Sequence, residues 1–525
     1  MRRLQIIFVT LILSGFSEYT MVAQRTPGKE YQDKPLRIEV PARSVNETYR
    51  IIPCGLNCVI MFFRSQEVSD ETKTKWYFTC YDTNFQQRWV KSIPLLNDQD
   101  YRFHQLGRDT LALLFVHTGK SHSLENDFEV LRIVLNKGTF ILNSGKLPDN
   151  ADVAAFGIQQ GRGWIGLNVK GQAGKIMNIN LKQEAERSFP LGQGNQLTIQ
   201  WMQSDSSSET VSAIVSRQIS KKNIEYYFVR YDTTGLIRNE IMIGMLPGDH
   251  QLTHFQMTSP RPGEEMLMGC YTQGMTNFKQ KNNFSDGSTG FFVTPIVNGA
   301  QQSISFYNFL ELHHVTSLLD ERDIMNIKQK ALKKNKLLAE YSLDFSILLH
   351  DVFSWNDQQI LTAEVFSPQY HTESITDFDY YGRPYTNSYS VFDGYRFFNA
   401  IVAGFDNKGR LLWDNTMEIR NLVSHELTPN VVTFSAGSNL VLCYDSDGKI
   451  GSEIIHENDV VEKLDYTPID LLYPEDKLLS ESKSKLIPWY GNYFLSYGYQ
   501  EIKNIAVETN NKRLVFYFSK LRFEK

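Results

Sequence analysis

Four segments of the chain repeat one pattern: an apolar run, an aromatic, Asp, a short turn, then a second apolar run. The aromatic–Asp steps are Tyr81-Asp82, Tyr231-Asp232, Phe405-Asp406 and Tyr444-Asp445. Three residues after each Asp stands Phe85, Gly235, Gly409 or Gly448; seven after it stands Trp89, Asn239, Trp413 or Ser452. This is the chemistry of a β-hairpin. Asp hydrogen-bonds its own backbone at a turn start, and Gly supplies the positive φ that a tight turn needs. The Trp then lies on the returning strand, where it is expected to wedge between sheets. Weaker copies surround Lys137-Gly138, Lys170-Gly171, Asn298-Gly299 and Asn510-Asn511. About eight such hairpins give roughly 60 residues per unit, against about 40 to 50 for a four-stranded blade.

The expected fold is therefore all-β: a β-propeller of about seven or eight blades with a short helical insertion. Radial repetition lets so many strands avoid exposed sheet edges. The pattern resembles the broad group of secreted bacterial β-propeller proteins of unknown function whose blades carry Asp-x-x-Gly-x-x-x-Trp turns. The run from Asp406 to Trp413 matches that turn fully; Asp82 to Trp89 lacks the Gly, and the other two lack the Trp. The turn is also like that of quinoprotein-type propellers, with one residue fewer between Asp and Trp. No quinone is carried over, and no cofactor is expected. The resemblance implies architecture, not activity.

Residues 1–23 read as a cleaved signal peptide. Arg2 and Arg3 precede an apolar stretch from Leu4 to Phe16, and Ala23 offers a small residue before polar sequence. That stretch is too short to cross about 30 Å of hydrocarbon, and no later segment is apolar enough to do so. The expectation is an exported chain, periplasmic or on the cell surface, with residues 24–525 as a single propeller domain. Five cysteines (Cys54, Cys58, Cys80, Cys270, Cys443) are too few for a disulfide scaffold. The spacing leaves pairing of Cys54 with Cys58 open; Cys80 and Cys443 sit in apolar runs that suit burial. A net charge of −5 makes nucleic acid a poor partner.

Residues 305–341 depart from the β pattern. Phe306, Phe309 and Leu310 fall at helical spacing, as do Ile324, Ile327 and Ala331. Lys328, Lys330, Lys333 and Lys334 make this expected helical insertion basic. It reads as the solvated face of an ordinary helix or as a grip for an anionic partner.

Two regions are candidates for chemistry. His350, Asp351 and Glu364 lie on two strand-like runs joined by a turn at Asn356-Asp357. Asp351 and Glu364, meeting across that hairpin, would supply the paired carboxylates of glycoside hydrolysis. His350 with a carboxylate suits a metal, although no metal site is expected. The second region holds Tyr380, Tyr381, Arg383, Tyr385, Tyr389 and Tyr395. Read as a long loop, it offers rings and a guanidinium to a sugar or a protein, at little entropic cost. Other motifs fail. His250 and His254 lack the Glu of a zinc-protease helix, and Asp445 to Gly448 misses the calcium-loop spacing.

The expected function is a non-catalytic binding or scaffold propeller with a protein or glycan partner in the cell envelope. The alternatives are a propeller-hosted hydrolase or lyase acting on polysaccharide or peptide, and a carbohydrate-binding sensor.

Overall fold

The computed structural model describes residues 36–524 apart from 71, 118–126, 160, 183–184, 192–196, 206–209, 221–222, 233, 245, 248–249, 262, 274–286, 318–343, 379 and 505–511. The expected signal segment lies outside the described residues. The fold is all-β, with eight antiparallel sheets among the described residues, each built on a path of four strands. The first sheet is typical: Arg50–Cys54, Cys58–Asp70, Lys73–Tyr81 and Gln87–Leu96 pair in chain order. The last sheet breaks the rule. Arg37–Pro41 pairs with Lys512–Arg522, so the start of the described chain completes the sheet formed by its end.

Two compact units divide the chain. One comprises Met1–Pro94, Cys443–Gly451 and Tyr466–Lys525; the other comprises Leu95–Leu442 and Ser452–Asp465. In the larger unit, consecutive sheets share cores. Leu114 and Val130 pack with Ile165 and Met177. Trp164 and Ile176 pack with Val211 and Val229. Ile214 and Phe228 pack with Leu267 and Phe292, and Met266 and Phe291 with Leu361 and Ile401. Each middle strand is therefore covered on both faces, which is why Thr110–His117 is an almost unbroken apolar run. In the smaller unit, Ile51, Val59 and Tyr81 share a core with Leu495, Phe516 and Phe518.

Three copies of the aspartate turn form as the repeat predicts. The Oδ1 atoms of Asp82, Asp232 and Asp406 each accept two backbone N–H groups, from the residues two and four positions on, at 2.8–3.0 Å. The fourth copy differs. Asp447 and Gly448 both adopt positive φ and make a two-residue turn, so Asp445 stays inside the strand Asn439–Ser446 and is buried. Trp413 lies on the returning strand, but it covers a neighbour in its own sheet: a Cβ on Gly404 would stand 2.3 Å from the indole.

The helical insertion is corrected in its first part. Ser305–Asn308 is a strand paired with Gly290 to Val293, followed by a 3-10 turn, Phe309–Glu311, and a five-residue helix, His313–Ser317. Phe306 packs edge-on to Tyr271, and Phe309 edge-on to Phe291. A strand running into a tight turn buries the same spacing that a helix would. Residues 318–341, with the four lysines, lie outside the described residues. No helix among the described residues is long and apolar enough to cross a membrane. All five cysteines are buried and none is in a disulfide, with Cys54 directly opposite Cys58 in the register.

Candidate functional site

Gln358–Phe378 and Pro384–Phe405 are the longest strands of the fold, at 21 and 22 residues. Their inner halves sit in a sheet. Beyond it the two run on as a ribbon, paired without interruption from Tyr370↔Phe392 to Phe378↔Pro384. Tyr, Thr, Ile and Phe favour this extended pairing. Every described residue from Tyr370 to Ser390 is exposed. What reads as a loop in the sequence is thus a two-stranded arm about 30 Å long. A lone hairpin of this kind is marginal in water. Tyr380 is 97% exposed, Tyr381 80% and Phe378 69%.

A bulge aims the arm. Gln369 pairs with Gly394 and Tyr370 with Phe392, which leaves Asp393 unpaired. Gly394 takes φ +125, where a Cβ would meet Val423 and Ser424 at 3.0–3.1 Å. The freed Asp393 carboxylate bonds His371 Nδ1 at 2.5 Å. His371 Nε2 bonds Glu373 at 3.2 Å, and Tyr389 Oη donates to Glu373 at 2.7 Å. The hydrogen bonds to Asp393, then Glu373, hold the His371 pKa above its ordinary value. This contact favours the protonated ring, so it is complete at acid pH and is lost as pH rises through the raised value. NMR titration of ring-labelled histidine should place His371 above about 6.5, and Asp393→Asn should bring it down; an unchanged midpoint in the variant would refute the contact.

Strand parity sorts the arm into two faces. One carries His371, Glu373, Ile375 and Asp377 with their partners Val391, Tyr389, Asn387 and Tyr385. The other carries three hydroxyl pairs, Thr372 with Ser390, Ser374 with Ser388 and Thr376 with Thr386, between Tyr370–Phe392 at the root and Phe378–Pro384 at the tip. The six residues expected to bind are therefore not one surface. Tyr380, Tyr381 and Arg383 occupy the tip, Tyr385 and Tyr389 the titratable face. Tyr395 is half-buried at the root against Phe366 and Phe392.

The expected acid pair does not form. Leu348 is the register partner of Glu364, so His350, two residues on, shares its face and Asp351 does not. His350 Nε2 bonds Glu364 Oε1 at 2.8 Å. Glu364 is fully buried and also accepts the N–H groups of Asn430 and Val431, both at 2.7 Å, and the Asn430 amide at 3.1 Å. It ties a loop to the sheet. Asp351 is exposed and lines a cleft of about 260 Å³ with Trp201, Met202, Gln203, Gln256, Met257 and Val352, which offers it no second acid and no base. Among the described residues no group of His, Cys, Asp and Glu is arranged to hold a metal.

A buried polar cluster escaped the sequence reading. Ser496 Oγ donates to Asp445 Oδ2 at 2.5 Å, and Tyr517 Oη donates to Glu481 Oε1 at 2.8 Å. Gln500 Nε2 and the Gly448 N–H also donate to Glu481, at 2.6 and 2.7 Å. Arg37 bonds Gln500 at 2.7 Å and lies over the Tyr517 ring. Asp445 Oδ1 meets no donor, and its carboxyl is within hydrogen-bonding reach of Glu481. Burial first, then the Glu481 charge, pushes the Asp445 pKa well up. The legible signal was Asp447-Gly448, a dipeptide that closes a two-residue turn and leaves Asp445 in the strand.

No protein-family model matches the chain, and no curated protein matches it. Solved structures similar to it include the polysaccharide lyase Uly1, at 9% identity and TM-score 0.38, over 80% of this chain and 89% of that one. A prolyl endopeptidase matches at 9% identity and TM-score 0.36, over 80% and 50%. The tricorn protease matches at 11% and 0.36, over 82% and 39%. So slight a likeness transfers neither an activity nor a site.

Proposed function

We propose that this chain is an exported, non-catalytic binding protein of the cell envelope, in which the eight sheets are the blades of one propeller and the arm reaches the partner. The observation that carries the reading is the arm itself, a paired ribbon that leaves its sheet with both faces in solvent. Core packing gains nothing from it. Its exposed rings are of the type that anchors contacts. The alternative of a hydrolase or lyase draws no support from Asp351 and Glu364, which face apart and differ in exposure.

The test shortens the arm. Residues 371–391 are replaced by Asn-Gly between Tyr370 and Phe392, which already stand opposite each other. Because the described residues removed are exposed, Val391 alone being half-buried, the unfolding free energy in urea should stay within about 0.5 kcal/mol of the parent. A photo-cross-linker at Tyr381 should capture a partner in intact envelopes, and one at exposed Leu236 should not. A partner captured equally by the shortened chain would overturn the reading.

A further inference from the structure

We propose that the hydroxyl-bearing face of the arm binds a linear, uncharged polysaccharide. This rests on the reading that the arm is the contact surface, and names what lies on it.

The face is built in three parts. Tyr370 and Phe392 form an aromatic pair at the root, with ring centroids 5.5 Å apart. Phe378 and Pro384 form an apolar pair at the tip. Between them stand six hydroxyls in three facing pairs, successive pairs about 7 Å apart along the strands. Ser374 Oγ and Ser388 Oγ are 2.8 Å apart, and Thr376 Oγ1 and Thr386 Oγ1 3.4 Å. Each of these two pairs shares one proton internally, which leaves a second proton and free lone pairs directed to solvent. The result is a flat array of mixed donors and acceptors between two apolar platforms. A sugar polymer presents the complement: ring hydroxyls that both donate and accept, and apolar ring faces that stack on aromatic side chains.

Charge and size choose among occupants. The titratable side chains His371, Glu373 and Asp377 share the opposite face, so the three hydroxyl pairs include no ionisable group and suit an uncharged ligand; the imidazole of His425 stands edge-on to Phe392 at the root. The face covers roughly 30 by 10 Å, on the order of 300 Å², well short of the roughly 800 Å² per partner of a stable protein interface. A long, narrow ligand fits that shape; a globular one does not.

The experiment is native electrophoresis of the full chain through gels containing hydroxyethyl cellulose, laminarin or linear mannan, with alginate as the anionic comparison. At least one neutral polymer should retard the protein and alginate should not. The double variant Ser374→Val, Ser388→Val puts β-branched strand formers at both positions while deleting a hydroxyl pair. It should weaken retardation about tenfold, as should Tyr370→Ala. Glu373→Gln with Tyr389→Phe, on the other face, should leave it unchanged.

No retardation by any of the three neutral polymers, retardation indifferent to the hydroxyl-face changes, or preference for alginate overturns the proposal. So does sedimentation showing a dimer that the Ser374/Ser388 variant dissociates, because the occupant is then a second copy. If cross-linking from Tyr381 persists while no polymer retards the chain, the arm remains a contact surface and only the sugar falls. If both vanish, both readings fall.

Discussion

Glu364→Ala is expected to lower the stability of the chain by about 3–5 kcal/mol. Glu364 is fully buried, and four donors converge on its carboxylate. Two of those donors are the backbone N–H groups of Asn430 and Val431, which cannot turn elsewhere. Truncation strands them without partner or water, and a stranded buried donor costs more than the net worth of the bond it loses. Glu364→Gln is the control. Its amide oxygen still accepts the two backbone groups, and its amide nitrogen can donate to Asn430 Oδ1, which now lacks a partner. That variant should lose only about 1 kcal/mol. Urea midpoints of both proteins check this. An Ala variant within about 1 kcal/mol of the parent would show that the loop is not held by this carboxylate. The sequence alone offered Glu364 as one of a pair of acid–base carboxylates; its burial and bonding make it a tie between loop and sheet.

Asp445→Asn is expected to raise stability at pH 7 and to flatten its pH dependence. The folded chain holds the Asp445 carboxyl protonated well above the ordinary carboxylate range, because it is buried and faces Glu481. In that range the folded state binds more protons than the unfolded one. Stability is therefore greatest at or below the unfolded value, about 3.8, and falls as pH rises through the window up to the raised folded value. Asn removes this loss. Its amide supplies the donor that Asp445 Oδ1 and Glu481 lack between them, and its oxygen still accepts from Ser496. Each tenfold difference in proton affinity between the folded and unfolded chain is worth about 1.4 kcal/mol, which sets the scale of the gain at pH 7. Unfolding of both proteins from pH 4 to 8 isolates the effect in their difference. A variant no more stable at pH 7, or a difference that does not grow with pH, would sink the shared-proton account.

Much of the fold was legible before any coordinates. The aspartate turns at Asp82, Asp232 and Asp406 depend on contacts within five residues, so a sequence window contains their whole cause. The apolar runs between them announce strands buried on both faces. Asp445 shows the limit: an identical aromatic–Asp step closes differently because Asp447-Gly448 makes a tighter turn beyond Ser446, which leaves the acid buried in the strand instead of capping a turn. The arm shows another. Alternating Thr, Ser and Tyr on both sides of Gly382 is strand periodicity, yet the density of polar and aromatic residues there reads as loop. Composition reports solvent exposure, and it does not distinguish an exposed strand from an exposed coil.

The sequence by itself determined the strand content, the turn chemistry and the repeating sheet, because hydrogen bonds within a hairpin and alternation along a strand are short-range. Tertiary structure alone decided which side chains meet. Glu364 finds Asn430 66 residues away, and Asp445 finds Ser496 and Tyr517 51 and 72 residues away. It also decided that Asp351 and Glu364 face apart, because register is set by the pairing of whole strands and a single-residue offset reverses every face.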